Sequence, residues 1–344
     1  MTAVALSALG SMRFRVLAKL CLSASLAACL PHAVEAQAKP SAQRLMCNSD
    51  TVHVSTPAGL LAGTVQCPAS PGPWPVVLLI AGSGPTDREG NSAMLPGKNN
   101  GLRMLAEALA ARGIASVRYD KRGIGASRAA MGSEADLRFE MYADDATLWA
   151  KQLRADPQFS TVTVVGHSEG SLLGMLAARQ ANADAYVSVA GVGRPASQVL
   201  HDQLVAGAPP ALVAEADRAM ARLNAGQTVD SVPPTLAALF RPSVQPYLIS
   251  WFKVDPIAEL RRLNIPVLIV QGTTDIQVAA QEARLLAAAE PKATLVIVEG
   301  MNHVLKMVPA DQATQVKSYS DPTLPVAPQL IDAIASFVTG VRRR

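Results

Sequence analysis

The stretch from Val162 to Ala178 constrains this chain more than any other. A β-branched run, Val162-Thr163-Val164-Val165, stops at Gly166, and from about Ser168 good helix formers follow with apolar residues at helical spacing. The pattern reads as strand, sharp turn and helix, with a serine at the turn. Glycines at 166 and 170 fit that reading, because so tight a turn strains the serine backbone and leaves no room for a Cβ two residues to either side. The serine hydroxyl then stands at the end of a strand, beside a helix N-terminus whose free N–H groups favour negative charge. Three fixed Gly and Ser positions arise by chance in roughly one chain of this size in ten. The weight therefore rests on the strand before the turn and the helix after it.

Residues 1–38 read as a targeting segment: Arg13, Arg15 and Lys19 are basic, Leu20 to Leu30 is apolar, and Val34-Glu35-Ala36 offers the small residues of a cleavage site. Export and removal are expected, to a periplasm or the medium. The apolar run is too short for a bilayer span, and no later stretch reaches that length. Leu26-Ala27-Ala28-Cys29 allows another outcome, acylation of Cys29 and a lipid anchor. With Cys21 and Cys29 in the leader, Cys47 and Cys67 remain as a pair in an oxidising compartment. They flank two alternating runs, 51–55 and 61–66, joined through Pro57-Ala58-Gly59, which read as a β-hairpin stapled by a disulfide. The formal charge of +4 is concentrated at the two ends, in the leader and in Arg342-Arg343-Arg344. The body between them has no basic stripe, which argues against a nucleic-acid partner.

From Val76 onward strands and helices alternate. Strands are expected at 76–80, 114–119, 161–166, 185–190, 266–270 and 294–298, with helices at 101–112, 143–154 and 279–289. Fully apolar strands separated by helices predict a parallel sheet covered on both faces, with its chemistry at the carboxyl ends of the strands. Between 192 and 254 the rhythm stops, and the pattern gives helices at 192–206, 210–224, 234–240 and 244–252, broken by prolines. Only 4% of the chain is aromatic, yet Phe240, Tyr247, Trp251 and Phe252 gather at the end of this segment. The expected layout is a leader (1–38), a first core part (39–191), a helical insertion (192–254) and a second core part (255–344).

Gly166-His167-Ser168-Glu169-Gly170, the Gly82-Ser83-Gly84 loop after an earlier strand, and Asp120-Lys121-Arg122-Gly123-Ile124-Gly125 together resemble the α/β-hydrolase superfamily. Within it the resemblance is to bacterial esterases and the serine-aminopeptidase-like group, over roughly residues 50–340 outside the insertion. It implies the α/β-hydrolase fold, a mostly parallel sheet with helices on both faces, with 192–254 as a helical cap and Ser168 as the nucleophile at an elbow. It also implies the backbone N–H groups of Ser83 and Glu169 as oxyanion donors, and no metal or organic cofactor. The four cap aromatics either roof the serine and select the substrate or dock the cap on the core.

A serine hydroxyl needs a base to take its proton and a carboxylate to orient that base. Of five histidines, His32 lies in the leader, His53 on the hairpin and His201 in the insertion, and His167 adjoins the serine but is expected to point away from it. His303 follows the last core strand, and Asp275 ends the strand before it, giving the chain order Ser, Asp, His that this fold uses. Asp275 also reads as an ordinary loop-capping aspartate. The Glu169 carboxylate is expected to pair with Arg88 or Arg122. Asp87, Arg88, Asp120, Lys121 and Arg122 read as a scaffold for two loops or as a grip on a polar substrate end. The glycine-rich loop lacks both the P-loop and the dinucleotide fingerprint. The expected activity is cleavage of small-molecule carboxylic esters through an acyl-enzyme. The alternatives are a thioesterase, a binding protein on an inactive scaffold, or a proline-iminopeptidase-like aminopeptidase, for which Glu215, Asp217 and Asp230 would hold the substrate amine.

Overall fold

A computed structural model describes residues 44–344; the expected leader and the Cys29 anchor lie outside the described residues. One sheet contains β1 (Ser49–Thr56), β2 (Gly59–Gln66), β3 (Trp74–Ile80), β4 (Ala115–Tyr119), β5 (Phe159–His167), β6 (Ala185–Val189), β7 (Val267–Gly272) and β8 (Thr294–Val298). Their order is β1-β2-β4-β3-β5-β6-β7-β8. The β1–β2 hairpin joins β4 antiparallel, and every pairing from β4 through β3 to β8 is parallel. The Cys47–Cys67 disulfide closes the open end of the hairpin, as the sequence led us to expect.

Side chains alternate across a strand, and the sheet accordingly feeds two apolar layers. Val77, Leu79 and Val165 pack with Leu102 and Leu105 of α1 (Gly101–Ala110) and with Leu330 and Ile334 of α11 (Pro328–Gly340). On the other face, Val76, Leu78 and Val164 pack with Trp149 of α2 (Phe139–Ala155), Leu172 of α3 (Glu169–Gln180) and Leu286 of α9 (Ala280–Ala289). Among the described residues no helix is long and apolar enough to cross a membrane.

Between β6 and β7 the chain forms α4 (Ala196–Gly207), α5 (Pro210–Asn224), α6 (Ala237–Phe240) and α7 (Gln245–Phe252). The helix expected at 234–240 is a 3₁₀ turn, Pro234–Leu236, followed by the single turn of α6. Pro242 limits it, because the residue before a proline is driven out of helical backbone, and Arg241 has ψ 148. Helix α7 leans on α2, with the Trp251 ring stacked on Phe139 at 5.9 Å and Tyr247 edge-on to Tyr142 at 5.6 Å. This contact explains why α2 begins at Phe139, ahead of the expected Ala143: the Phe139 N–H donates to Ser250 Oγ at 2.8 Å. The main layer resumes at α8 (Pro256–Arg261), where Asp255 Oδ1 accepts from the N–H groups of Ile257 and Ala258 and Pro256 opens the helix. The sequence reading did not identify α10 (Gln312–Ser318) or α11.

Candidate active site

Ser168 sits where β5 turns into α3, with φ 56, a left-handed backbone rarely taken by a residue with a side chain. The two flanking glycines make the turn possible. A Cβ on Gly166 would stand 2.0 Å from the carbonyl oxygen of Gly170, and one on Gly170 would stand 2.4 Å from that of Ile80. The backbone N–H of Ser168 is held by the carbonyl of Val189 at the end of β6, at 2.9 Å.

Asp275 and His303 come from the ends of β7 and β8, and the structure joins them: His303 Nδ1–H donates to Asp275 Oδ2 at 2.8 Å. The aspartate side chain is 1% exposed and its oxygens are fully engaged. Oδ1 accepts from the N–H groups of Gln277 and Val278, and Oδ2 accepts in addition from Gln271 Nε2. Burial alone would raise its pKa. The facing imidazole and these donors outweigh burial and hold it below the usual carboxylate range. The carboxylate is thus charged and fixed, and it sets the His303 tautomer with Nε2 as the free acceptor.

Ser168 and His303 line one cavity of about 160 Å³, together with Gly82, Ser83, Gln277 and Tyr319. Among the described residues no hydrogen bond joins the serine hydroxyl to the imidazole; such bonds commonly tighten only when substrate is bound. Ser83 also lines a second, larger cavity of about 540 Å³, shared with Glu169, Phe240, Tyr247 and Trp251. Phe252, expected beside them, is outside this lining. It is 6% exposed and packs in the core against Trp251.

For two residues beside the site the structure supplies partners that the sequence did not signal. His167, set aside on sequence as pointing away from the serine, reaches His303: its Nε2–H donates to the His303 carbonyl at 2.8 Å, and the two rings lie 4.9 Å apart. Burial, with the neighbouring His303 adding to it, pushes its pKa down to about 4, so it braces the His303 loop as a neutral donor. Lys121 is 1% exposed, and its ammonium bonds the Gly82 carbonyl at 2.6 Å and Glu169 Oε1 at 3.1 Å. The expected partners of Glu169 are committed elsewhere, Arg88 to Asp120 and Arg122, through two bonds, to Asp145. The carbonyl and N–H of one trans peptide point in opposite directions. Anchoring the Gly82 carbonyl therefore fixes where the Ser83 N–H points. Pairwise distance across three loops carries this arrangement, and no local sequence pattern signals it.

The other candidates lie apart. Asp217 pairs with His201, and Glu215 with Arg218; none of the four lines either cavity beside Ser168, nor does Asp230.

Residues 77–317 match the alpha/beta hydrolase family. The chain is 27% identical over 249 residues to Esterase EstD of Thermotoga maritima, a match covering 71% of this chain and 58% of that protein, so it spans less than two thirds of that relative. Among solved structures it resembles Est1E from Butyrivibrio proteoclasticus, solved with ferulic acid bound, with TM-score 0.55 and 16% identity over 83% of this chain and all of that one. It also resembles a hydrolase from Pseudomonas aeruginosa PA01, with TM-score 0.51 and 19% identity over 83% of this chain and 97% of that one. At these identities the structural likenesses speak for the fold. Matched over more than half its length, the chain belongs to the alpha/beta hydrolase family.

Proposed function

We propose that this protein is a serine hydrolase that cleaves carboxylic esters through an acyl-enzyme. The observation that carries the reading is the buried Asp275–His303 bond opening onto the same cavity as Ser168. Ser168 Oγ attacks the ester carbonyl carbon while its proton passes to His303 Nε2. The resulting oxyanion takes the N–H groups of Ser83 and Glu169. His303 then returns the proton to the departing alcohol oxygen, and a water molecule repeats the sequence on the acyl-enzyme. The helices α4–α7 act as a cap whose aromatic face, Phe240, Tyr247 and Trp251, meets the substrate.

An amide-cleaving aminopeptidase is disfavoured by charge. Both carboxylates lining the larger cavity are already paired, Glu169 with Lys121 and Glu134 with Arg241, which leaves neither free for a substrate ammonium. The hairpin disulfide supports the exported location, since such bonds persist in oxidising compartments. Comparing p-nitrophenyl butyrate with prolyl-p-nitroanilide tests the reading: turnover of the ester at least 100-fold above the anilide is expected, and the reverse preference refutes it.

A further inference from the structure

We propose that the site binds its ester in one orientation, with the acyl group in the larger cavity beneath the cap and the alcohol in the smaller cavity beside His303. The class of substrate is then an ester of a bulky apolar acid, aliphatic or aromatic, with a small alcohol. The inference rests on the ester-hydrolase reading above and adds a direction to it.

The direction follows from where the proton must go. The bond that breaks joins the carbonyl carbon to the alcohol oxygen, and that oxygen leaves with the proton carried by His303 Nε2. The alcohol must therefore lie on the imidazole side of the carbonyl carbon. The cavity on that side is the one His303 lines, about 160 Å³, with a mixed wall in which Leu102, Val304 and Leu305 stand beside the bonded pair Gln277 Nε2 and Tyr319 Oη. A space of this size holds a molecule about as large as benzene. The carbonyl oxygen faces the N–H groups of Ser83 and Glu169. Past these two residues opens the cavity of about 540 Å³, which His303 does not line. Its walls include Met131, Leu137, Leu239 and Trp251, and its size falls within the usual range of a small-molecule site. Ser83 and Ser92 border both spaces, so the two adjoin there, and the bound ester spans from one into the other in this orientation.

Two series of esters, followed by acid release in a pH-stat, test the direction: methyl esters of acids from acetate to dodecanoate and including benzoate, and acetate esters of alcohols from methanol to decanol. Along the acid series kcat/KM is expected to rise roughly 4-fold per methylene until the cavity fills. Along the alcohol series it is expected to fall beyond about six heavy atoms. Leu239→Trp, at a side chain 38% exposed on the cavity wall, is expected to move the preferred acid to a shorter chain while the alcohol profile keeps its shape. The opposite pattern, with tolerance of long alcohols and rejection of long acids, overturns the orientation and leaves the hydrolase reading standing. An unchanged acid profile in Leu239→Trp also overturns it. No hydrolysis of any ester in either series overturns both.

Discussion

Gly166 and Gly170 leave no tolerance at the turn. A methyl group at either would sit inside backbone carbonyl contact, and backbone, unlike a flexible side chain, cannot yield. Gly170→Ala is expected to lower stability by about 3 kcal/mol or more in denaturant unfolding and to remove activity with it. The three polar groups act differently, since Asp275→Asn should leave the fold intact. In that variant the amide oxygen keeps the N–H groups of Gln277 and Val278, so the NH2 faces His303 Nδ1 and, as a donor, holds the imidazole in the wrong tautomer; kcat for p-nitrophenyl butyrate is expected to drop by about 10⁴-fold with little change in KM. These residues were legible because each closes an apolar strand, where this architecture exposes side chains. His167 was not, because its part depends on which carbonyl its ring reaches, a fact of loop packing. Its burial makes a separate claim about pH. With a pKa near 6.5 unfolded and about 4 folded, the unfolded chain takes up a proton first as pH falls. Stability from this group is complete above about pH 6.5, declines by roughly 3 kcal/mol down to pH 4 and then levels off. In His167→Gln, which keeps a donor, urea unfolding across that window should lose this part of the acid sensitivity.

At the scale of elements, the loop after β4 is the fixed point of the site. Arg88–Asp120 and Arg122–Asp145 tie it to its neighbours, and Lys121 links it to the Gly82-Ser83-Gly84 loop and to the first turn of α3. The sequence shows five charges in two loops and permits either scaffold or substrate grip; four of them are in ion pairs, and Asp87 Oδ1 accepts from the N–H groups of Glu89 and Asn91, which favours a scaffold. Lys121→Met leaves the Glu169 carboxylate buried without its partner and is expected to cost about 3–5 kcal/mol of stability. Adding Glu169→Leu removes the stranded charge and should restore most of that stability. The Gly82 carbonyl still lacks its anchor in the double variant, so if the Ser83 N–H serves as the proposed oxyanion donor, kcat is expected to stay depressed by about 10-fold or more. Recovery of stability and kcat together would assign Lys121 to the fold alone. The helices from 192 to 254 were readable as helices, but their packing was not. Phe252 and Trp251 are adjacent in sequence, yet one faces the core and the other the cavity, and α2 starts early because α7 covers its end.

Across the whole molecule, the sheet order could be anticipated only in part. Apolar strands announce the parallel centre, whereas the antiparallel hairpin at its edge depends on pairing with β4, a long-range contact with no local signature. The hairpin is anchored by the Cys47–Cys67 link, which closes a loop of sequence separation 20. Cys47→Ser with Cys67→Ser is expected to lower unfolding stability by about 3 kcal/mol and to leave kcat largely unchanged, since the bridge lies outside both cavities. All of this serves one claim, that residues 168, 275 and 303, brought in from three strand ends, act as a unit. Treatment with a fluorophosphonate followed by intact-mass and peptide analysis tests it most directly. A single adduct on Ser168 is expected, with none in Ser168→Ala and labelling slowed at least 100-fold in His303→Ala; an adduct on another residue, or equally fast labelling without the imidazole, would show that the three do not work together.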